Sequence, residues 1–268
     1  MIYIIATPIG NLKDITLRAL EALEESDYIF CEDTRNSGKL LNHYDIKKKL
    51  ISLHEHNELQ RSDEVIDLAR QGNTISFISD AGMPGISDPG SKLIEKLIEE
   101  GIEYTVLPGP SAFTTALVYS GLNSDTFRFM GFLPVKGRER KEKLSQIEND
   151  KDTLILYEAP HKLDKTMEDL AKIIPERKVS VVRELTKIYE SATSFLAKDY
   201  KDQEIVKKGE IVIIIDKDLT IEEVTDDLIL KKLEALILEG SSKKEAASII
   251  AKDLNLSKNR VYNLSKNL

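Results

Sequence analysis

A glycine-rich loop between a buried strand and a helix is the segment of this chain best suited to holding a ligand. Residues 79–90 read Ser-Asp-Ala-Gly-Met-Pro-Gly-Ile-Ser-Asp-Pro-Gly and follow an apolar run that begins at Thr74. Glycine admits positive φ and lets a ligand approach the backbone. Strand, glycine loop and helix start in this order are typical of a nucleotide-type site, although a turn kept tight for packing is the alternative. Neither the dinucleotide fingerprint nor the phosphate-binding loop is present.

Two further strand ends carry similar loops. The apolar run Met1–Ala6 leads into Thr7-Pro8-Ile9-Gly10-Asn11-Leu12, and Tyr104–Leu107 leads into Pro108-Gly109-Pro110-Ser111-Ala112. The carboxyl ends of parallel strands lie along one edge of a sheet, where ligands bind. The three loops therefore predict one composite pocket.

The elements that must position these loops alternate between strands and helices. The predicted strands of residues 1–110 are Met1–Ala6, Tyr28–Glu32, Thr74–Ser79 and Glu103–Leu107. The predicted helices are Thr16–Glu25, Asn36–His43, Leu59–Gln71 and Pro89–Glu100, the last with Pro89 in its first turn. This alternation predicts an α/β domain with a mostly parallel sheet covered on both faces.

A second α/β domain is predicted for residues 111–217. Its helices are Ser111–Ser120, Gly137–Glu148 and His161–Ile174. Its strands are Arg128–Phe132, Thr153–Tyr157, Val179–Arg183 and Glu210–Asp216, with a further strand at Ile188–Phe195.

Residues 218–268 are predicted to form a small helical appendage. Leu219–Glu239 is acidic and Ser241–Leu268 is basic. Ser242 and Glu245 have the spacing of a capping box, and Leu256-Ser257 opens another helix. The appendage resembles a helix-turn-helix element, which either docks RNA or serves as a structural cap.

Composition excludes several protein classes. A chain of 268 residues with 41% apolar and 31% charged residues is typical of a globular protein with two cores. The single Cys31 excludes an internal disulfide, and neither a signal peptide nor a membrane-spanning apolar run is found. We therefore expect a cytoplasmic protein with no membrane contact.

The formal net charge of −8 argues against general nucleic-acid binding. Two segments are locally basic, Lys136–Lys143 and Ser241–Leu268. Each is either an RNA contact or a solvated helix face. The histidines and the cysteine lack zinc-ligand spacing, so no metal site is expected.

Eight motifs stand in order across residues 1–190 and resemble those of one family. They are Thr7-Pro8-Ile9-Gly10-Asn11, Cys31-Glu32-Asp33-Thr34-Arg35, His54-Glu55-His56-Asn57, the loop 79–90, Pro108-Gly109-Pro110-Ser111-Ala112, Gly131-Phe132-Leu133-Pro134, Tyr157-Glu158-Ala159-Pro160-His161 and Arg183-Glu184-Leu185-Thr186-Lys187. The set resembles the tetrapyrrole methylase superfamily, in its bacterial branch that methylates ribosomal RNA on a ribose 2′-oxygen.

The resemblance implies two α/β domains of tetrapyrrole-methylase type, with S-adenosyl-L-methionine held in the cleft between them. It also implies a homodimer whose substrate is a decoding-centre cytidine of 16S rRNA within the small ribosomal subunit. The family pattern implies cofactor contacts at Pro8, Ser79, Asp80, Ala81, Gly82, Met83, Ser111, Ala112, Tyr157 and Leu185.

Methyl transfer to an alcohol depends mainly on alignment of the reactants and exclusion of water. A ribose hydroxyl also needs a group that takes or orients its proton. Many polar side chains stand at predicted strand ends, and of these we expect Glu158, Glu184 and Lys187 near the acceptor hydroxyl as catalytic residues. Which group moves the proton is left open.

Two other functions are alternatives to RNA methylation. One is methylation of a tetrapyrrole carbon in corrin or siroheme synthesis, and the other is a non-catalytic RNA-binding role in ribosome assembly. The intact glycine loop argues against the second rival, and the matched motifs are those of the RNA branch.

Overall fold

The computed structural model describes residues 1–218, 226–254 and 256–266, without the side chains of residues 227, 228 and 253. The chain divides into two compact units, Met1–Asp218 and Leu219–Leu268. The start of the predicted acidic stretch, residues 219–225, lies outside the described residues.

The first sheet of Met1–Asp218 is parallel throughout, in the order β3-β2-β4-β1-β5. Its elements are β1 (Ile2–Ile5), α1 (Leu17–Glu25), β2 (Tyr28–Cys31), α2 (Thr34–His43), β3 (Leu50–Ser52), α3 (Glu58–Arg70), β4 (Ile75–Ile78), α4 (Ser91–Glu99) and β5 (Tyr104–Leu107). The predicted parallel sheet is confirmed. The edge strand β3 was not predicted, because three residues after a lysine run give no strand periodicity.

The strands are short and apolar because both faces of this sheet are buried. Ile5, Ile29 and Ile78 pack with residues of α1 and α2. Phe30 and Phe77 pack on the opposite face with residues of α3 and α4. The predicted coverage of both faces is confirmed.

The second sheet is mixed, in the order β6-β7-β10-β8-β9. Its elements are α5 (Ala112–Ser120), β6 (Phe127–Phe132), α6 (Gly137–Asn149), β7 (Thr153–Glu158), α7 (Leu163–Ile173), β8 (Lys178–Arg183), β9 (Ser191–Leu196) and β10 (Ile211–Ile215). The β6–β7 pair is parallel, whereas β10 runs antiparallel to both β7 and β8. The start of β10 therefore lies beside the carboxyl ends of β7 and β8.

The predicted starts of α4 and β9 are wrong. Helix α4 begins at Ser91 and not at Pro89, because the Pro89 carbonyl accepts a hydrogen bond from the Gly85 amide and Gly90 has φ 126°. Strand β9 begins at Ser191 and not at Ile188. The preceding residues form a turn in which the Lys187 amide donates to the carbonyl of Glu184, and Ile188 is 95% exposed.

The head of α4 is capped by a buried carboxylate from another helix. Glu58, at the start of α3, is 3% exposed. Its Oε1 accepts hydrogen bonds from the backbone amides of Gly90, Lys92 and Leu93 at 2.9, 3.0 and 3.3 Å. This cap holds the end of the glycine loop to the body of the sheet.

The unit Leu219–Leu268 contains three described helices, α8 (Asp226–Leu238), α9 (Lys243–Asp253) and α10 (Lys258–Ser265). They share a core that includes Ile229, Leu233 and Val261. The predicted capping box of Ser242 and Glu245 is confirmed, and Ser257 caps α10. Among the described helices of the chain, none has the length and apolar character needed to cross a membrane.

Candidate active site

A cavity of about 330 Å³ lies where loops of the first sheet face strand ends of the second. The first group of lining residues is Ile9, Ala81, Gly82, Met83, Ile86, Ser87, Asp88, Ser111, Ala112 and Phe113. The second group is Phe132, Tyr157, Glu158, Ala159, Pro160, Gly209, Glu210, Ile211 and Val212. The three strand-end loops predicted to form one pocket do meet here.

The glycine loop is fixed to the end of β1 by backbone pairing. The amides of Thr7 and Gly82 each donate to the other's carbonyl at 2.9 Å. Gly82 has φ 80°, and a β-carbon there would lie 3.5 Å from a methyl group of Ile9, which also lines the cavity. A side chain at this position would be strained and would press on the cavity wall.

Aromatic rings form the wall on the side of the second sheet. Phe132 and Tyr157 pack edge to face with ring centroids 5.5 Å apart, and Phe129 contacts Tyr157 at 4.9 Å. Burial raises the pKa of Tyr157 to about 12, partly offset by a hydrogen bond to the backbone of Phe113. The Tyr157 phenol is therefore neutral at physiological pH.

Six of the residues implied as cofactor contacts line the cavity: Ala81, Gly82, Met83, Ser111, Ala112 and Tyr157. Four do not appear among the described lining residues: Pro8, Ser79, Asp80 and Leu185. Pro8 and Leu185 are buried behind the wall. Ser79 is 1% exposed, and its carbonyl accepts a hydrogen bond from the Thr7 hydroxyl.

Both oxygens of the Asp80 carboxylate accept hydrogen bonds from residues that follow β2. Its Oδ1 accepts from the Asp33 amide at 3.1 Å and its Oδ2 accepts from the Asn36 side chain at 2.9 Å. The Asp80 amide in turn donates to Glu32 at 3.4 Å. Asp80 therefore ties two strand ends together next to the cavity.

Glu158 is the one residue of the expected catalytic set that lines the cavity within the described part of the chain. It is 4% exposed. Its Oε2 accepts the hydroxyl hydrogen of Thr166, and its Oε1 accepts from the Ala159 amide at 2.8 Å. Both carboxylate oxygens are thus engaged inside the protein.

Glu184 and Lys187 lie one residue layer behind the wall and act on it through Glu210. Lys187 Nζ lies 2.9 Å from Glu184 and 3.0 Å from Glu210, and Glu210 lines the cavity. Hydrogen bonds from the Glu210 amide and from Lys187 lower the pKa of Glu184. Burial alone would lower the pKa of Lys187, but its two carboxylate partners outweigh burial and raise it.

Several other polar side chains at the strand ends have structural partners. Arg35 pairs with Asp33, its guanidinium lying 2.7 Å from the carboxylate. Arg183 is 8% exposed and donates to Ser191 and to the Lys208 carbonyl. The Asn57 side chain accepts from the His54 amide. Within the described residues, no group of three or more His, Cys, Asp or Glu side chains is arranged to hold a metal ion.

A cluster of like charge lies beside the glycine loop. Asp88 lines the cavity, and burial together with the carboxylates of Glu32 and Asp80 raises its pKa to about 6. Burial and the charge of Asp80 also raise the pKa of Glu32. Sequence reasoning did not select Asp88, although it lies in the loop that was singled out.

The antiparallel strand β10 supplies wall residues that were also missed. Gly209, Glu210 and Ile211 stand at its start. Sequence reasoning sought site residues only at the carboxyl ends of strands, whereas an antiparallel strand brings its amino end to the same edge. The glycine before Glu210 was the available signal.

The basic segment Lys136–Lys143 is not a uniform surface patch. Arg140 is 5% exposed and donates to Asp169, to the Thr166 hydroxyl and to the Pro134 carbonyl. For Arg140, the expectation of an RNA contact or a solvated helix face is wrong, because this guanidinium is bound between α6 and α7. Arg138 and Lys141 are exposed.

Comparisons with known proteins agree with this architecture. The family described as Tetrapyrrole (Corrin/Porphyrin) Methylases matches residues 1–200. Ribosomal RNA small subunit methyltransferase I of Halalkalibacterium halodurans is 42% identical over 273 residues, covering 98% of this chain and 93% of the relative. The protein of the same name from Haemophilus influenzae is 43% identical, covering 98% and 95%.

Two solved structures share the fold over about four fifths of this chain. Uroporphyrin-III-C-methyltransferase from Thermus thermophilus has a TM-score of 0.58 at 21% identity, covering 81% of this chain and 94% of that one. Diphthine synthase has a TM-score of 0.66 at 14% identity, covering 80% and 89%. The expected tetrapyrrole-methylase fold with a helical appendage is confirmed.

Proposed function

Because this chain belongs to the tetrapyrrole methylase family, we propose that it methylates the ribose 2′-hydroxyl of a decoding-centre cytidine in 16S rRNA. The observation that carries the proposal is a preformed cavity in a chain that aligns over 98% of its length with ribosomal RNA small subunit methyltransferases I. The methyl donor is S-adenosyl-L-methionine.

The cavity fits this donor in size and chemistry. About 330 Å³ lies within the range of small-molecule sites. Ile9, Met83 and Val212 offer apolar walls for an adenine ring and a thioether, while Glu210 places negative charge near a cationic group. When bound, the donor supplies a methyl group on a positively charged sulfur.

The cofactor contacts divide into two kinds under this proposal. Gly82 and Ser111 present backbone to the ligand, and Met83, Ala112 and Tyr157 form walls. Pro8, Ser79, Asp80 and Leu185 hold those contacts in place from behind. Such fixed walls align the reactants and exclude water.

The three expected catalytic residues act mainly by holding parts of the cavity wall in position. Glu158, held by Thr166, fixes the end of β7, and the Glu184–Lys187 pair fixes Glu210. We place Glu158 at the cavity wall near the acceptor hydroxyl, and Glu184 and Lys187 behind that wall, where their charges act through Glu210. Their bonds within the protein leave proton acceptance to another group.

The substrate is RNA within the assembled small subunit. A net charge of −8 disfavours general RNA affinity. The exposed cations Arg138 and Lys141 on α6, together with Lys243 and Lys244 at the head of α9, offer local phosphate contacts. An enzyme that acts on the small ribosomal subunit works in the cytoplasm.

We also propose a homodimer. The faces of the second sheet are not free to pair, because α5 covers one face and α6 and α7 cover the other. The support for pairing comes from exposed apolar side chains elsewhere on the surface. Val118 on α5 is 79% exposed, and Ile188 and Tyr189 in the β8–β9 turn are 95% and 76% exposed.

Methyl incorporation tests the proposed function directly. Purified small subunits that lack the modification should accept one methyl group from labelled donor, and mass spectrometry of RNA fragments should place it on a cytidine ribose. Free cytidine and a tetrapyrrole precursor serve as parallel substrates. Methylation of the tetrapyrrole alone, or no methylation of any of them, would contradict the proposal.

A further inference from the structure

Four ionisable side chains line the cavity within the described residues: Asp88, Tyr157, Glu158 and Glu210. The Glu158 carboxylate is engaged by Thr166 and by the Ala159 amide. Glu210 is paired with Lys187 at 3.0 Å. Tyr157, with a pKa raised to about 12 by burial, is neutral.

Asp88 differs from the other three. Across residues 1–218, 226–254 and 256–266, its carboxylate has no hydrogen-bond or ion-pair partner, although it is only partly exposed. A partly buried carboxylate without a partner is costly, because burial removes water from the charged form. A ligand that brings a proton or a positive charge would remove this cost.

The backbone holds Asp88 in place. The Gly85 amide donates to the Pro89 carbonyl at 2.9 Å, which closes a short loop around Ile86, Ser87 and Asp88. Ser87 has φ 60°, in the left-handed region that non-glycine residues seldom adopt. Backbone strain of this kind, beside a cavity, is typical of residues that contact substrate.

The charges around Asp88 set its basicity. Glu32 and Asp80 face it with the same sign, and Tyr157 faces it as a neutral phenol. His54 lies beside Glu32. The buried carboxylate of Glu58 accepts a hydrogen bond from the amide of Gly90, two residues after Asp88. Burial and the two carboxylates raise the Asp88 pKa to about 6. It is therefore ionised at neutral pH and more basic than an ordinary aspartate.

We propose that Asp88 is the general base that accepts the proton of the acceptor 2′-hydroxyl. As the hydroxyl oxygen forms its bond to the methyl carbon, the carbon–sulfur bond breaks and its electron pair returns to sulfur, which becomes neutral. The hydroxyl proton passes to the Asp88 carboxylate and later to solvent. The inference rests on the proposed function, since it assigns one step of that reaction.

The experiment measures single-turnover methylation of small subunits between about pH 5 and 8.5, where a base of this kind changes its charge. It compares the wild type with Asp88→Asn and Asp88→Glu. Asp45→Asn is the matched control, because it makes the same chemical change at an exposed aspartate that pairs only with Lys47 among the described residues. Calorimetry with S-adenosylhomocysteine reports cofactor-site binding independently of turnover.

The wild-type rate should fall about tenfold per pH unit below about pH 6. Asp88→Asn should lose roughly 100-fold or more at pH 7.5 and show a flat profile, with S-adenosylhomocysteine affinity within about threefold of wild type. Asp88→Glu should recover part of the rate, and Asp45→Asn all of it.

Three results would overturn the assignment. One is an Asp88→Asn enzyme that keeps its rate and its acid limb. Another is a rate loss matched by lost S-adenosylhomocysteine affinity, which would make Asp88 a cofactor contact. If Asp88→Asn does not fold, a pH-independent wild-type rate would decide against it. Failure of the wild type to methylate small subunits would instead refute the proposed function.

Discussion

The carboxylate of Glu184 occupies the space in which a β-carbon on Gly209 would stand. Gly209 has φ 78° and lines the cavity, whereas Glu184 holds Lys187 behind it. The glycine therefore lets a charged network pack directly against the cavity wall, and this relationship is open to test.

Gly209→Ala should push Glu184 out of place and release Glu210 from Lys187. We expect methylation to fall by about tenfold or more, because a displaced wall misaligns the reactants. The control is Gly72→Ala, since Gly72 also has positive φ (88°) but nothing within 4 Å of an added β-carbon. Gly72→Ala therefore introduces backbone strain without displacing a neighbouring group. Equal activity of the two variants would show that the network does not support the site.

Gly82→Val should weaken binding of S-adenosylmethionine by about 2 kcal/mol, roughly 30-fold. The cause is a branched side chain at φ 80°, next to Ile9 and facing the cavity. Calorimetry measures the change, and Gly72→Val corrects for strain at a distant site. A folded Gly82→Val protein with unchanged affinity would remove the glycine loop from the cofactor site.

Arg140→Ala should lower the free energy of unfolding by about 3–5 kcal/mol, because it leaves the buried side of Asp169 without its partner. Urea denaturation gives the value. The effect should be on stability, since Arg140 is bound inside the protein and cannot contact RNA in this structure.

The double variant Arg138→Glu and Lys141→Glu tests whether the exposed cations of α6 contact RNA. The double variant should fold normally but raise KM for small subunits more than it lowers kcat, with a smaller salt dependence. Unchanged KM would exclude this end of α6 from the RNA contact.

Asp88→Asn should stabilise the protein above about pH 6, on the order of 2 kcal/mol. A carboxyl with a raised pKa favours its protonated form in the folded state. Wild-type stability therefore falls as pH rises from about 4 to about 6, and the full penalty persists above that range. Thermal unfolding of wild type and variant measures the difference, which should vanish near pH 4. A gap that does not depend on pH would contradict the electrostatic cause.

Light scattering tests the homodimer. The active protein should have twice the 30.2 kDa mass of one chain. Val118→Asp and Ile188→Asp, made separately, should identify which exposed apolar surface is used, because a charge at a dimer interface is costly to bury. A monomeric mass under active conditions would show that pairing is not required.

The sequence was sufficient for the parallel sheet and the three convergent loops, because strand periodicity and Pro/Gly punctuation are local signals. It was insufficient for contacts made through space. Nothing local indicates that Glu58 caps α4, or that Arg140 points inward and not to solvent. The start of β10 was missed as a wall because strand direction depends on long-range pairing. Asp88 stood within the recognised loop, but its lack of a partner is visible only in the fold.

The strand order has a consequence for how this protein is made. β10 is the last strand of Met1–Asp218 in the chain, yet it lies in the centre of its sheet, between β7 and β8. Those two strands do not pair with each other in the described structure, so β8 and β9 must wait for β10 before they join β6 and β7. During synthesis, the half-built sheet exposes two unpaired strand edges until residue 215 has emerged. Premature termination just before β10 should therefore yield a chain prone to aggregate, not a smaller folded enzyme.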